Sequence, residues 1–365
     1  MSNHKQAENH LPNAAILSSI SEPLLRWYQN RARVLPWREE PSAYRVWISE
    51  IMLQQTRVAA VIAYFERFLS ALPDVASLAA VSDDQLMKLW QGLGYYNRAR
   101  NLKKAAQIVV NEYHGQIPLE FHELLKLPGI GRYTAAAISS IAGGAPFPAV
   151  DGNVLRVVTR LTLCREDILK DRTKRHIEET LRPLYTKGPL SSMLNQAWME
   201  LGATVCIPNG APHCAHCPLA RFCLAHDNDC TAEFPIKQAK KKRRREQLTV
   251  LLLRRGDKIA LRQRGNKGLL AGLYELPHLP GHLRTEEIFS ALAARGFSVA
   301  EVRALPPAHH VFTHIEWDMT GFQVALQAKM PNDQQTSDHF IWASMEDILH
   351  RYSIPAAFQY FLHDL

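Results

Sequence analysis

The sequence predicts two domains in tandem, an all-α domain followed by a smaller α+β domain. Three observations carry that prediction. From Ala14 onward apolar residues recur at helical spacing, and no β-pattern occurs before about residue 247. A like-charge run, Lys237 to Arg245, then interrupts the pattern. Beyond it the apolar period shortens to that of strands. With 365 residues the chain is long enough for each part to bury a core of its own. The resulting organisation is a polar tail over 1–13, a helical domain over 14–235, a basic linker over 236–247 and an α+β domain over 248–365.

A hydrophobic content of 47% with 21% charged residues is ordinary for a globular protein. The net charge of +8 suggests a polyanionic partner, yet seven basic residues sit in the single run Lys237–Arg245. The rest of the chain is close to neutral, so nucleic-acid contact has to be argued from local sites. Met1 to Pro12 is polar and carries no cleavage signature, which predicts no secretory signal, and no run approaches the length of a membrane span. Six cysteines in a chain without an export signal favour metal or cluster binding over disulfides.

In order, Ala14 to Arg31 reads as a helix ended by the turn Leu35-Pro36-Trp37-Arg38. In the next helix Tyr44, Trp47, Ile48, Ile51 and Met52 form an apolar stripe at i, i+3, i+4, i+7 and i+8, which must face a core. Glu50 lies roughly opposite, sharing its side with Leu53, Gln54 and Arg57. That side is either a solvated face or the lining of a cleft. Helical patterns continue over Val58–Ala71 and Asp83–Trp90, break at Gly92-Leu93-Gly94-Tyr95-Tyr96, and resume over Asn97–Tyr113. Leu127-Pro128-Gly129-Ile130-Gly131 is a tight turn in which both glycines permit φ > 0 and close backbone approach. Arg132 to Ile141 follows as a helix whose first amides point back into the turn, a ready-made anion site. After a second break, Gly143–Pro148, Asp151-Gly152-Asn153 sets a carboxylate at the mouth of the next helix.

Cys206, Cys214, Cys217 and Cys223 form a C-x7-C-x2-C-x5-C cluster, a set of soft donors that suits an iron–sulfur cluster or zinc. Cys164 reads as buried packing, and Cys230 has no role assigned. In the second domain Thr249–Leu253 and Ile259–Arg262 flank Arg255-Gly256-Asp257, a hairpin signal. Gly268 to Pro277 reads as a loop and strand, Thr285–Arg295 as a helix, Val311–Gln327 as further strands, and Met345–Leu362 as mostly helical.

Two strings, Leu127 to Asn153 and Glu50-Ile51-Met52-Leu53-Gln54-Gln55-Thr56, resemble MutY-type adenine DNA glycosylases of the endonuclease III superfamily, and the likeness extends over almost the whole chain. The resemblance implies an all-α helix-hairpin-helix glycosylase domain with an iron–sulfur cluster loop over 206–223, then an α+β Nudix-like domain. It implies a monomeric, intracellular, nucleoid-associated base-excision-repair enzyme of bacterial type, which removes adenine opposite 8-oxoguanine or G in double-stranded DNA. It assigns the protonation of adenine N7 to Glu50, if burial raises its pKa, and stabilisation of the sugar cation to Asp151, held ionised by helix-start amides. Endonuclease III carries a lysine where this chain has Tyr133, and that amine forms the Schiff base of strand cleavage. Tyr133 therefore predicts a monofunctional enzyme in which the phenol supports the carboxylates. Further matches place Arg33, Trp37 and Gln196 around the adenine and Asn153 beside the catalytic acid region. Leu53, Gln55 and Tyr95 match residues that fill the gap left by the flipped base, and Gly129 and Gly131 match hairpin positions that bring amides to a phosphate.

The family's cysteine pattern, C-x6-C-x2-C-x5-C, holds a [4Fe–4S] cluster, and this chain departs from it by one residue in the first gap. Its Nudix-like domain reads 8-oxoguanine through Phe-Ser-His, for which this chain has Phe312-Thr313-His314. Hydrolysis of the Nudix kind is the weakest reading, because Phe289 and Ser290 stand at the Arg-Glu positions of that motif, and Ala293 and Ala294 at its paired glutamates, which hold the metal. The alternatives are an endonuclease III-like glycosylase/lyase and a catalytically silent lesion-binding protein.

Overall fold

The computed structural model describes residues 14–238, 242–327 and 340–363. The tail read over 1–13 and residues 239–241 of the basic run lie outside the described residues. The chain divides into two compact units, one built from residues 14–80 and 100–238, the other from 81–99 and 242–363. The second unit thus takes in a stretch that chain order assigns to the helical domain.

The first unit is helical throughout. It begins with α1 (Ala14–Arg31), α2 (Pro36–Glu39), α3 (Ala43–Leu53), α4 (Val58–Ala71) and α5 (Val75–Ala80). After α6 (Asp83–Trp90), which groups with the second unit, α7 (Asn97–Glu112) returns the chain to the first. The unit continues with α8 (Phe121–Leu124), α9 (Arg132–Ile141), α10 (Gly152–Thr162), α11 (Asp171–Leu181), α12 (Pro189–Thr204) and α13 (Leu224–Asp227). Serines cap the start of α3 and, in the second unit, that of α6: Ser42 accepts from the Arg45 amide and Ser82 from that of Gln85, each satisfying an orphan donor. One core joins α1, α10 and α12 through Leu24, Val158, Leu161, Trp198 and Leu201.

The second unit is a mixed sheet of order β3-β2-β1-β6-β5, with β4 paired to β1 and β7 to β2. Its strands are β1 (Arg244–Arg255), β2 (Lys258–Gln263), β3 (Tyr274–Glu275), β4 (His278–Pro280), β5 (Val299–Val311), β6 (Ile315–Leu326) and β7 (Ile341–Ala343). β1 runs parallel to β6, and the hairpin expected at Gly256-Asp257 joins β1 to β2 antiparallel. Alternation along β1 puts Leu248, Val250 and Leu252 in one core and Leu251 and Leu253 in another. The helix α14 (Thr285–Ala293) covers the second core, while α15 (Met345–His350) and α16 (Ala356–Gln359) cover the first.

Two expectations change here. The stretch 236–247 is not linker throughout, because β1 begins at Arg244, in register with Ile315 of β6. Its arginines are partnered as well: Arg243 and Arg245 reach Glu316, and Arg244 reaches Glu246. Residues 81–99 join the sheet-bearing unit through polar contacts. Lys88 donates to the carbonyls of Ile348 and Tyr352, Gln91 to that of Ile354, and the Tyr274 hydroxyl to Asp84.

Candidate active site

The helix α3 presents its expected stripe to the core, but the opposite side is no solvated face. Glu50 is only 6% exposed, and its side of the helix borders a cavity of about 590 Å³ within the first unit. That volume lies in the range of small-molecule sites. Leu53 and Gln54 line the cavity with Glu50, whereas α3 ends at Leu53 and Arg57 serves as the N-cap residue of α4.

The wall opposite comes from the hairpin. Gly129 has φ +80°, and a Cβ there would lie 2.7 Å from that of Asn101, so the turn needs glycine twice over. Gly131 departs from expectation: its backbone is extended (φ −91°, ψ 177°) with open space around it, as the N-cap position of α9 requires. From the first turn of α9 the Tyr133 hydroxyl donates a hydrogen bond to Glu50 Oε2, with Met199 Sδ 3.8 Å away. Asp151 is the N-cap of α10, and its Oδ1 accepts from the Val154 amide at 2.8 Å. Its Oδ2 accepts from Asn153 Nδ2 at 2.7 Å. Asn153 thus holds Asp151, and Arg156 Nη2 holds Asn153 Oδ1 in turn at 2.8 Å. Gly202 of α12 permits this arrangement, since a Cβ there would fall 2.4 Å from that of Asn153.

Burial sets the electrostatics. It raises the Glu50 carboxyl to about 7, with the nearby Asp151 charge adding to the rise and the Tyr133 hydrogen bond and Arg38 opposing it. Asp151 also moves upward. Burial dominates there, and the Val154 and Asn153 hydrogen bonds offset only part of it. The expected amides are in place, but they do not hold Asp151 below the usual carboxylate range. Burial and the two carboxylates push the Tyr133 phenol well up, so it remains a donor.

Arg33, Trp37, Gln196, Leu53 and Gln55 all border the same cavity, as do Tyr133, Asp151 and Asn153. Gln55 sits at φ +59°, a strained position for a residue with a Cβ. Among the bordering residues that escaped the sequence reading are Arg38 and Glu200. Glu200 receives Arg33 Nε at 2.6 Å and Arg38 Nη2 at 2.8 Å. It follows Gln196 by four on α12, so helical spacing from that residue was the available signal.

Tyr95 and the loop 312–314 belong to the second unit. Phe312 to Ile315 forms the turn between β5 and β6, closed by the Phe312 amide donating to Ile315 O at 2.8 Å. The Phe312 ring packs edge-on against Trp317, while Thr313 and His314 are exposed. The Tyr95 and Thr313 hydroxyls lie 3.2 Å apart, joining two positions that the sequence marked separately.

The six cysteines are free thiols, with Cys164 buried and Cys230 half-buried. Cys206, Cys217 and Cys223 pack against the core of the first unit. Burial raises the thiols of Cys214 and Cys223 and pushes Cys217 up to about 12, and Cys206 adds to all three. Arg160 Nη1 donates to Cys206 Sγ at 3.2 Å, and Arg156 Nε donates to the Cys206 carbonyl at 2.7 Å. Among the described residues no three His, Cys, Asp or Glu side chains converge as around a single metal ion. Cys206, Cys214 and Cys223 lie near enough to Cys217 to act on its thiol, and four neighbouring soft donors are the kind of set an iron–sulfur cluster takes.

Residues 48–183 match the HhH-GPD superfamily base excision DNA repair proteins, and residues 249–364 match the NUDIX domain. The adenine DNA glycosylase of Rattus norvegicus is 33% identical over 375 residues, spanning 87% of this chain and 72% of that protein. The chain belongs to the adenine DNA glycosylase family. Another member, from Buchnera aphidicola subsp. Acyrthosiphon pisum, is 40% identical over 227 residues, covering 61% of this chain and 63% of its own. The first unit of an adenine DNA glycosylase-family chain is expected to share the superfamily's helical fold. A trapped endonuclease III–DNA covalent intermediate indeed superposes with a TM-score of 0.51 at 26% identity, covering 60% of this chain and 98% of that one. Among the described residues no helix is long and apolar enough to cross a membrane.

Proposed function

We propose that this chain is a monofunctional adenine DNA glycosylase, which removes adenine lying opposite 8-oxoguanine or G in double-stranded DNA and leaves an abasic site. The observation that carries the reading is Glu50, a buried carboxyl raised to about 7 and bonded to Tyr133, in one cavity with Asp151. Breaking C1′–N9 leaves an electron pair on a poor leaving group and a cationic sugar. A carboxylic acid on one side and a carboxylate on the other answer both demands. Two buried carboxyls in one cavity favour a state with one proton, and Glu50, raised to about 7, carries it in a substantial share of molecules near neutral pH. Glu50 gives that proton to adenine N7 as the bond breaks and the base leaves neutral. Asp151, with its charge spread over the Val154 amide and Asn153, faces the sugar cation. Water then adds to C1′ and returns a proton to a carboxylate. Tyr133 has no amine, so no Schiff base forms at that position.

Arg33, Trp37 and Gln196 surround the base, Leu53 and Gln55 fill the vacated stack, and the hairpin amides around Gly129 and Gly131 take a phosphate, while Tyr95 is a further contact to the duplex. Phe312, Thr313 and His314 read 8-oxoguanine, with the Thr313 hydroxyl in the place of serine. Cys206, Cys214, Cys217 and Cys223 hold a [4Fe–4S] cluster that braces the loop 206–223. An absorption band near about 400 nm with about four irons per chain tests that part. The protein acts as an intracellular, nucleoid-associated monomer on double-stranded DNA.

Single-turnover cleavage of a labelled duplex carrying A opposite 8-oxoguanine, split with and without alkali, tests the whole reading. Product only after alkali, lost in Glu50→Gln and Asp151→Asn, is the expected result. Strand cleavage without alkali would assign a lyase instead, and tight binding without product a silent lesion reader.

A further inference from the structure

The fully buried carboxylate at the back of the cavity belongs to Glu200. Its oxygens are saturated by donors from the segment between α1 and α2 and from α2 itself. Oε1 accepts the Arg33 amide at 3.1 Å and Arg33 Nε at 2.6 Å. Oε2 accepts Arg33 Nη2 at 2.9 Å and Arg38 Nη2 at 2.8 Å. Arg38 Nη1 also donates to the Arg33 carbonyl at 3.1 Å. With both oxygens taken twice, Glu200 has little left to offer a base directly and acts through what it holds. The same contacts reach another wall residue: Arg38 stacks 5.6 Å from the Tyr28 ring, whose hydroxyl donates to Gln196 Oε1 at 3.1 Å.

We infer that Glu200 is a positioning residue of the base pocket, which locks Arg33 and Arg38 in place and neutralises Arg38 beside Glu50. This rests on reading the cavity as the adenine site. The groups facing Glu50 are Tyr133 from α9, Asp151 at the head of α10 and Arg38 from α2, with Lys174 of α11 also on the cavity wall. α4 contributes only Val58 to that wall. Arg38 favours the charged form of Glu50, and Glu200 opposes Arg38. Removing the Glu200 charge therefore releases Arg38's field onto Glu50. The acid then loses its proton at lower pH.

The test uses the full-length protein and Glu200→Gln, Glu200→Asp, Arg38→Gln and Glu200→Gln/Arg38→Gln. The Glu50 carboxyl is titrated by carbon-13 resonance, assigned by its absence in Glu50→Gln, and single-turnover adenine release is followed against pH. Glu200→Gln should lower the Glu50 midpoint by about one pH unit. It should cut the rate at neutral pH by about tenfold, with duplex affinity kept within about threefold. Arg38→Gln should raise the midpoint, and the double variant should return it towards wild type. Glu200→Asp should keep the midpoint and lower the rate, since charge is retained and geometry lost. If Glu200→Gln does not fold, a Glu50 midpoint unmoved in Arg38→Gln overturns the inference, as does an unmoved midpoint in a folded Glu200→Gln. A wild-type protein that releases no adenine sinks the proposed function alone, because the carbon-13 titration still decides the role of Glu200.

Discussion

The buried Glu50 makes a prediction about stability that does not depend on any assay of activity. Glu50→Gln keeps the shape of the side chain and an oxygen to accept the Tyr133 hydroxyl, but removes the titration. In the unfolded chain Glu50 releases its proton at the ordinary 4.5, and in the folded chain at about 7. Below the first value both states hold the proton and the variant gains nothing. Between the two, the unfolded chain gives up a proton that the native chain retains, so wild-type stability falls as pH rises. Above about 7 the full penalty of a buried carboxylate is in force and no longer grows. That interval is worth about 3 kcal/mol, or about 6–12 °C in the melting temperature of a unit near 200 residues. Thermal unfolding of both proteins from pH 4 to pH 9, followed by circular dichroism, reads the difference. The variant should match wild type in acid and pull ahead as the pH rises to neutrality. Parallel curves, or a variant less stable than wild type at pH 8, would refute the claim that Glu50 is held protonated by burial.

Tyr133→Phe removes the hydrogen bond that favours the charged form of Glu50, so the alkaline limb of the rate profile should move to higher pH at a stability loss of about 1 kcal/mol. Gly202→Ala drives a methyl into Asn153, and should destabilise the protein by about 1–3 kcal/mol while slowing adenine release through Asp151, read by melting and single-turnover rates. Thr313→Val keeps the side-chain shape and removes the hydroxyl beside Tyr95. It should narrow the rate ratio between A opposite 8-oxoguanine and A opposite G, with stability within about 0.5 kcal/mol of wild type.

What the sequence revealed depended on how local the cause was. The bounds of α1, α4, α6 and α9 coincide with those read from apolar spacing and breakers. The six-residue α5 and four-residue α8 are too short to display a helical period. Most of β5 was missed because its burial does not alternate and its register shifts between Leu305 and Ala308, around Pro306 and Pro307. The carboxylates and Tyr133 were legible because each sits in a distinctive string. Glu200 was not, being one acid inside an apolar helix whose partners are more than 160 residues away. Nor could the sequence give the direction of the Asp151 shift, since amide donors follow from chain order but burial follows from packing.

The charges around the cavity oppose the ionisation of Glu50, whose carboxyl burial raises to about 7. Arg33 and Arg38 bring two positive charges, against which stand Glu200 and Asp151, while Lys174 is matched by Asp171 outside. Arg156 is off the lining, bonded to Asn153 and to the carbonyls of Gly202 and Cys206, and its charge favours the ionised form of Asp151. With Glu50 protonated the lining is neutral, and ionising it would add an unmatched charge to a buried space. In the proposed reaction a sugar becoming cationic would alter that balance, since the growing charge would favour a carboxylate at the moment Glu50 gave its proton to the leaving base. On that proposal, proton loss from Glu50 and charge growth on the sugar would offset each other in one enclosure, which would make stabilisation greatest in the transition state.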